Sequence, residues 1–267
     1  MPGPRYSTHK CMGRVLIVQN QEYVGIKFPK IRGGTDENDN VTDMKTTLGK
    51  MGFTDACIEV HKNKTKAEMI RLLEDVAKRT DLKDDYCFIC MVLSYGKDGV
   101  IICCDETQSP KNPTADMQLP VSELQECLKG DKCRDLLLKP KIFMLQLEAV
   151  PYSSPQSAAN LPSDTHTEKP VKIPREADFL IYTCIKDHAL AAWIEGFKQY
   201  VLTPEQSEQH GQPKQPMEPM EIQKLLTRMN HIYCKTYTEE GSYVDIPCVT
   251  SLLTREAYLK LEEPSPK

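Results

Sequence analysis

The sequence is most informative at residues 87–96, which read Cys87-Phe88-Ile89-Cys90-Met91-Val92-Leu93-Ser94-Tyr95-Gly96. The first seven of these residues are apolar, so the run suits a strand that is buried on both faces. Residues 100–104 form a second apolar run, and we expect it to pair with the first across the turn at residues 96–99. The sequence therefore predicts a sheet whose centre is covered on both sides.

Working outward from this run, other apolar segments alternate with segments of helical spacing. Thr65 and Glu68 form a capping box, the pattern that begins a helix. The segment 244–253 contains Pro247, which is tolerated mainly on edge strands. The alternation predicts a three-layer α/β fold, with helices on both faces of a mostly parallel, six-stranded sheet. The remaining predicted strands are 14–19, 56–60, 141–147 and 178–184, and the helices are 37–51, 65–76, 121–129, 189–202 and 220–237.

Proline-rich stretches suggest how the chain is divided. Residues 149–175 contain five prolines and no periodicity, which predicts a long exposed linker over residues 149–176. A second loop, rich in proline and glutamine, is expected at 203–219. We expect one folded unit with these parts: a short segment 1–13, a first part 14–148, a second part 177–260 and a tail 261–267.

Composition limits the classes of partner. The formal net charge of −4 provides no basic field for nucleic acid, so we expect no nucleic-acid partner. No stretch approaches the ~18 apolar residues that a membrane helix needs, and we expect no membrane association. Eleven cysteines, an odd number scattered through apolar runs, indicate reduced thiols and a cytoplasmic location. We expect no cofactor and no metal.

Four runs follow one another in the sequence: residues 32–36 (Arg-Gly-Gly-Thr-Asp), 87–96, 139–146 (Lys-Pro-Lys-Ile-Phe-Met-Leu-Gln) and 177–181 (Ala-Asp-Phe-Leu-Ile). In this order they closely resemble the caspases, which are cysteine proteases. The resemblance covers the chain from about Val15 to Tyr258 and implies the caspase-like αβα sandwich. It also implies that residues 14–148 correspond to the large subunit (p20) and residues 177–260 to the small subunit (p10).

The resemblance places unexpected residues at the catalytic positions. Caspases use the His of a Ser-His-Gly turn as the base and the Cys of Gln-Ala-Cys-Arg-Gly as the nucleophile. Here Tyr95 occupies the position of the base and Glu148 that of the nucleophile. A phenol with a pKa near ~10 shuttles protons poorly at pH 7, and a carboxylate is a weak nucleophile towards amides. We therefore expect a pseudoenzyme. Tyr95 and Glu148 either form a hydrogen-bonded plug or reflect drift, and the sequence leaves both open.

The substrate pocket implied by the resemblance is incomplete. Arg32 and Gln146 match two of the three caspase ligands for the substrate aspartate, and no residue between Cys184 and Trp193 matches the third. A single guanidinium can still hold a carboxylate, which leaves weak capture of an aspartate side chain as an alternative.

The cysteines raise two other hypotheses, a metal or redox site and an alternative nucleophile. Cys87 and Cys90 form a CxxC, but three-residue spacing on a strand directs the side chains to opposite faces, which favours core packing over a metal or redox site. The adjacent pair Cys103 and Cys104 also diverges. Cys184 is expected at the end of its strand, where ligands bind in α/β sheets, but no matching histidine accompanies it as a base.

The last apolar segment, residues 244–253, is predicted to form a dimer interface. It matches the caspase strand that pairs across the dimer two-fold, with Cys248 near the axis, and the predicted interface residues are Ile246, Cys248, Thr250 and Leu252. Interface burial does not depend on catalysis. Only ~13 residues precede the first strand, so we expect recruitment through the protease-like domain itself.

These observations lead to one hypothesis and two alternatives. The hypothesis is a catalytically inactive homologue that regulates an active caspase by heterodimerisation, in apoptosis or related signalling, similar in logic to FLIP-type proteins; a homodimer is also possible. The alternatives are a decoy that binds caspase substrates or inhibitors in the residual pocket, and a residual cysteine-type endopeptidase. Asp164, in the linker, is either a cleavage site for another caspase or an ordinary loop carboxylate.

Overall fold

A mostly parallel sheet of six strands forms the centre of the protein, as predicted. The computed structural model describes residues 3–23, 26, 28, 40–105, 113–150, 177–185, 188–202, 220–237 and 246–259. In these residues the strands are β1 (Cys11–Gln19), β2 (Ile58–Lys62), β3 (Asp85–Lys97), β4 (Val100–Ile102), β5 (Gln118–Pro120), β6 (Lys141–Glu148), β7 (Phe179–Cys184) and β8 (Cys248–Ser251). The six central strands follow the order β2-β1-β3-β6-β7-β8.

Strand direction follows the chain connections. Strands β2, β1, β3, β6 and β7 pair in parallel, whereas β8 pairs with β7 in the antiparallel direction. Strands β3 and β4 form an antiparallel hairpin, and β5 extends it. The hairpin turns at Asp98 and Gly99, whose φ angles of 51° and 76° are those of a type I′ turn. The predicted pairing across this turn is confirmed.

Helices cover both faces of the sheet. They are α1 (Asn40–Lys50), α2 (Lys66–Ala77), α3 (Val121–Cys127), α4 (Ala189–Phe197) and α5 (Ile222–Tyr237). Helices α1, α4 and α5 share one apolar core with residues such as Ile17 and Leu93, which we call the α1 face. Helices α2 and α3 share a second core on the other face with Leu16 and Phe88, which we call the α2 face. The three-layer prediction is therefore confirmed.

Local signals predicted helix ends well. Thr65 caps α2 because its hydroxyl accepts a hydrogen bond from the Glu68 N–H, and the Glu68 carboxylate accepts from the Thr65 N–H, which completes the capping box. Gly52 follows α1 with a φ of 100°, the left-handed conformation in which a glycine commonly ends a helix. None of the described helices is long and apolar enough to cross a membrane.

Several element boundaries differ from the prediction by a few residues, and two of them have a clear local cause. The second strand starts at Ile58, because Asp55–Cys57 form a 3₁₀ turn instead of the expected strand start. The helix predicted over 189–202 ends at Phe197, and Lys198–Leu202 continue as a wider π turn. The predicted linker falls almost entirely outside the described residues, as does the predicted loop 203–219. The predicted division into two parts stays a prediction.

Candidate functional site

The carboxyl ends of four parallel strands bring one row of side chains together. Gln19, Leu93, Gln146 and Cys184 lie in direct register across β1, β3, β6 and β7. Residues in register on parallel strands share a face of the sheet. Leu93 and Cys184 belong to the core of the α1 face, so the whole row lies on that face. Ligands of open α/β sheets bind outside such carboxyl ends.

Tyr95 and Glu148 lie directly beyond this row. They are register partners on β3 and β6, two residues after Leu93 and Gln146, and therefore stand on the same face. The structure thus brings the two predicted dyad positions side by side. Burial raises the pKa of Tyr95 to about 12, and the neighbouring Glu148 carboxylate acts in the same direction. Tyr95 therefore stays a neutral phenol at pH 7.

Aromatic rings enclose Tyr95, which is 2% exposed. Its ring centre lies 5.7 Å from that of Tyr23, edge to face, and 4.2 Å from that of Phe28. Ile102, Cys104 and other apolar residues complete this small core, which is separate from the two large ones. These apolar contacts favour a packing role for Tyr95 as a core residue.

The Tyr23 hydroxyl fixes the backbone next to Tyr95. It accepts a hydrogen bond from the Tyr95 N–H at 3.3 Å and donates to the Ile102 carbonyl at 3.2 Å. It also lies 3.0 Å from the Ser94 hydroxyl, which donates to the same carbonyl at 2.7 Å. Sequence reasoning missed Tyr23, because its role depends on a loop that folds back across β3.

Gln146, predicted for the substrate pocket, is fully buried and engaged within the protein. Its Oε1 accepts a hydrogen bond from the Leu190 N–H at 3.0 Å, in the first turn of α4. Arg32, the other predicted pocket residue, lies outside the described residues. The predicted capture of an aspartate side chain therefore depends on Arg32, and it stays a prediction.

Gln19 is a second residue that sequence reasoning missed. Its side chain is 1% exposed, and neither Oε1 nor Nε2 has a hydrogen-bond partner among the described residues. A buried carboxamide without a partner costs free energy, so its presence in the row of Gln146 calls for a reason. The available signal was a polar residue at the end of the apolar run 14–19.

Seven of the eleven cysteines are buried, two are partly buried and two are exposed. All eleven are free thiols, and Cys11 and Cys248 are exposed. Cys87 packs on the α1 face and Cys90 on the α2 face, which confirms that the CxxC diverges. Burial raises the pKa of the Cys184 thiol to about 12, which disfavours a thiolate at pH 7. In the part of the chain that the structure describes, no three Cys, His, Asp or Glu residues group as metal ligands.

The predicted interface residues lie at one edge of the sheet. Ile246 is 66% exposed and Leu252 39%, and Cys248 and Thr250 are also exposed. Strand β8 carries Cys248 and Thr250, pairs with β7, and is the last strand of the sheet order. Asp164, the predicted cleavage site, lies outside the described residues.

Residues 12–258 match the protein family described as the Caspase domain. The chain belongs to the caspase family. Caspase-7 of Gallus gallus is 27% identical over 94% of this chain and 78% of its own length. Caspase-3 of Oryctolagus cuniculus is 29% identical over 92% of this chain and 83% of its own length.

A solved structure supports the same fold. The crystal structure of Caspase-1 from Spodoptera frugiperda superposes with a TM-score of 0.68, over 97% of this chain and 94% of that one. The two sequences are 21% identical, so this likeness concerns the fold. The predicted caspase-like sandwich is confirmed.

The comparisons overturn the prediction that the chain is not an enzyme. The matching relatives are caspases, which are cysteine proteases, and the matches extend over nearly the whole chain. Nothing in them points to a loss of catalysis. The prediction of a pseudoenzyme is therefore wrong, because it extended the chemistry of two side chains, Tyr95 and Glu148, to the activity of the whole protein.

Proposed function

We propose that this caspase-family chain regulates the activity of a caspase by binding it through strand β8, in apoptosis or a related signalling process. The observation that carries the proposal is the open backbone edge of β8. Among the described residues, no strand pairs with the side of β8 that faces away from β7. An open edge of this kind can accept a strand from another chain.

The two edges of the same sheet differ in how they are protected. At the β2 edge, Glu59 Oε2 and His61 Nε2 lie 3.5 Å apart, and the exposed Lys62 ends the strand. Charged residues on an edge strand discourage pairing with another chain. Strand β8, with the sequence Cys-Val-Thr-Ser, carries no charge. The contrast supports β8 as the docking edge.

Hydrogen bonding within the sheet indicates which groups of β8 are available. The Leu252 N–H donates to the Phe179 carbonyl, and the Leu252 carbonyl accepts from the Asp178 N–H, so Leu252 faces β7. Antiparallel pairing alternates, and Thr250 and Cys248 therefore also face β7. The backbone groups of Val249 and Ser251 consequently point away from the sheet.

This alternation favours one register for a second copy or a similar strand. If Thr250 lies opposite its counterpart, Val249 of one strand faces Ser251 of the other, and all outward N–H and C=O groups are matched. A register centred on Val249 would bring Ser251 opposite Pro247, which has no N–H and whose carbonyl already accepts from Asn230 Nδ2. The favoured centre is therefore Thr250, with Cys248 two residues away.

Exposed apolar side chains flank the edge and add to the interface. Ile246, Val249 and Leu252 are 66%, 36% and 39% exposed. Burying such side chains contributes about 25 cal/mol per Å² of apolar surface. Docking shifts the partner's conformations when the chain binds one of them more tightly. All eleven thiols are free, which supports a cytoplasmic location for this activity.

The test compares two arginine substitutions on opposite edges of the sheet. Purified chain is added at increasing concentration to purified Caspase-3, and hydrolysis of an aspartyl peptide is measured. We expect the rate to change with the wild-type chain and the affinity to fall by at least about tenfold with Thr250→Arg, because the side chain is bulky and charged at the centre of the register. Val60→Arg is the matched control, since Val60 is 38% exposed on β2.

Other outcomes separate the parts of the proposal. An unchanged rate together with no binding at micromolar concentrations would contradict it. If the Thr250→Arg chain changes the rate of Caspase-3 as strongly as the wild-type chain does, docking uses another surface. Sedimentation that detects only the chain paired with itself would retain β8 as an interface and remove the regulatory role.

A cysteine-type peptidase activity is the second candidate, and family membership favours it. The purified chain alone, incubated with an aspartyl electrophile, provides the test. Covalent capture at a cysteine mapped by mass spectrometry supports a peptidase, with Cys184→Ser as the variant for the thiol at the carboxyl end of β7. Absence of labelling at every thiol removes this candidate.

A further inference from the structure

A short segment before β1 is bound across the segment that follows β8. We call residues 3–6 the strap. The Tyr6 N–H donates to the Glu256 carbonyl at 3.1 Å, and the Glu256 N–H donates to the Pro4 carbonyl at 2.9 Å. The Gly3 N–H donates to Glu256 Oε1 at 3.0 Å. The strap thus joins two segments that lie at opposite ends of the described sequence.

One buried side chain anchors the strap. Tyr6 is 5% exposed, and its hydroxyl donates to Asp178 Oδ1 at 2.6 Å. The same hydroxyl accepts from the Thr254 N–H at 3.0 Å. Burial, followed by the hydrogen bond with Asp178, raises the pKa of Tyr6 to about 12, so the phenol keeps its proton at pH 7.

Asp178 connects this anchor to the docking edge. The Thr254 hydroxyl donates to the same oxygen of Asp178 that Tyr6 uses. The Asp178 N–H donates to the Leu252 carbonyl at 2.9 Å, directly after the last residue of β8. Tyr6, Asp178 and Thr254 therefore form one hydrogen-bonded unit at the carboxyl end of β8. Removing the Tyr6 hydroxyl leaves the Thr254 N–H without its acceptor and takes one donor from a buried carboxylate.

We propose that the strap holds the carboxyl end of β8 in its docking conformation, and that release of the strap weakens docking through this edge. The inference rests on the function proposed above and adds its regulation. A cut or a modification between the strap and β1 is the kind of event that releases it.

Two observations indicate that release of the strap affects only the residues that it contacts. Gly3, Pro4, Arg5, Ser7 and Thr8 are exposed, so the contacts that hold the strap besides the Tyr6 side chain lie at the surface, where they open at low cost. They include Arg5, which lies 4.0 Å from Glu256 Oε2 and 4.6 Å from the centre of the Tyr258 ring. The far end of the receiving segment has its own attachments. The Tyr258 N–H donates to the Tyr86 hydroxyl, and the Ile222 N–H donates to the Ala257 carbonyl. Loss of the strap therefore loosens residues 252–256 and leaves the sheet intact.

The experiment uses the full chain in two forms. In the first, a site for a specific protease is inserted between the exposed Ser7 and Thr8, and the folded protein is then cut. The second is Tyr6→Phe. The control is Thr46→Val, which removes an exposed hydroxyl that donates to the Thr42 carbonyl within α1, away from the hydrogen bonds of the strap.

Amide hydrogen exchange is measured first, on the unbound chain, and affinity for the partner is measured second. We expect exchange at Leu252 and Thr254 to become at least about tenfold faster in the cut protein and in Tyr6→Phe, while β1, β3 and β6 keep their protection. Affinity for the partner falls by about the same factor. The Thr46→Val control leaves both unchanged.

The two readouts separate this proposal from the one on which it rests. Unchanged exchange over residues 249–256 in the cut protein overturns the strap proposal, whatever the affinities. Faster exchange with unchanged affinity also overturns it, provided that Thr250→Arg weakens docking as expected. If Thr250→Arg has no effect on docking, the function proposed for β8 fails instead, and the exchange result still decides whether the strap holds the edge.

Discussion

Lys141 begins β6 and lies almost entirely inside the protein, with 3% exposure. Its ammonium donates to the Leu136 carbonyl at 3.1 Å and to the Lys139 carbonyl at 2.9 Å, and it lies 5.0 Å from the centre of the Phe179 ring. These contacts offset only part of the cost of burying a charge. Burial lowers the pKa of Lys141 from 10.5 to about 8.

This shift predicts how stability depends on pH. Between pH 8 and 10.5 the unfolded chain holds a proton on Lys141 that the folded chain has released, so the free energy of unfolding rises with pH across this window. The full gain is about 3 kcal/mol. We expect the stability of the wild type relative to Lys141→Met to increase from pH 7 to 10.5, as measured by urea titration. The buried thiols titrate in both proteins and cancel in this difference, and a constant difference would show that Lys141 remains charged.

Single residues also mark where sequence reasoning reached its limit. Thr65 was identifiable as a cap because its partner, Glu68, is three residues away. Tyr23 and Gln19 were not, because their roles depend on strand register and on a loop that folds over β3. The sequence pattern placed Tyr95 and Glu148 just beyond the ends of two predicted strands, and only the register shows that they are neighbours on β3 and β6.

At the scale of elements, β1 and β3 approach unusually closely at one glycine. Gly13 has a φ of 129°, and a Cβ placed there would lie 1.9 Å from the carbonyl oxygen of Cys87 on β3. Because the clashing atom belongs to the backbone of β3, a change of side-chain rotamer cannot relieve the clash. The close approach explains why a glycine stands inside a buried strand.

The corresponding prediction compares two alanine substitutions. Gly13→Ala is expected to lower the free energy of unfolding by more than about 3 kcal/mol, because of the clash and the strained φ. Gly49→Ala, in the exposed part of α1 with nothing within 4 Å of the new Cβ, is expected to raise it by about 0.5–1 kcal/mol. Urea titration measures both. A tolerated Gly13→Ala would mean that β1 can separate from β3 at this point.

Elements were predicted where the signal is local and missed where it is not. The apolar runs gave β1, β3, β6 and β7 because strands buried on both faces are continuous in sequence. Pro247 pointed to an edge, and β8 begins at the next residue. The strap could not be predicted, since Gly3 and Glu256 are 253 residues apart in sequence and neither carries a motif.

At the scale of the whole molecule, the expected linker leaves the sheet after β6 and the chain returns at β7, its direct neighbour. Six register pairs, from Lys141 with Phe179 to Gln146 with Cys184, join these strands. The Gln146 side chain also accepts from Leu190 in α4. On the opposite side, Tyr6 reaches Asp178, and Tyr86 accepts from Tyr258. Both ends of the second part are therefore bound to the rest of the protein by non-covalent contacts.

This arrangement predicts the outcome of cutting the linker. With a specific protease site inserted beside Asp164, we expect the two fragments to elute together in size exclusion and to separate in denaturant, because the core that joins β6 to β7 stays buried. Unfolding then becomes dependent on protein concentration, since the reaction releases two chains. Incubation of the wild type and Asp164→Ala with Caspase-3 asks whether Asp164 itself is cut. Fragments that separate without denaturant would show that the linker, and not the sheet, holds the two parts together.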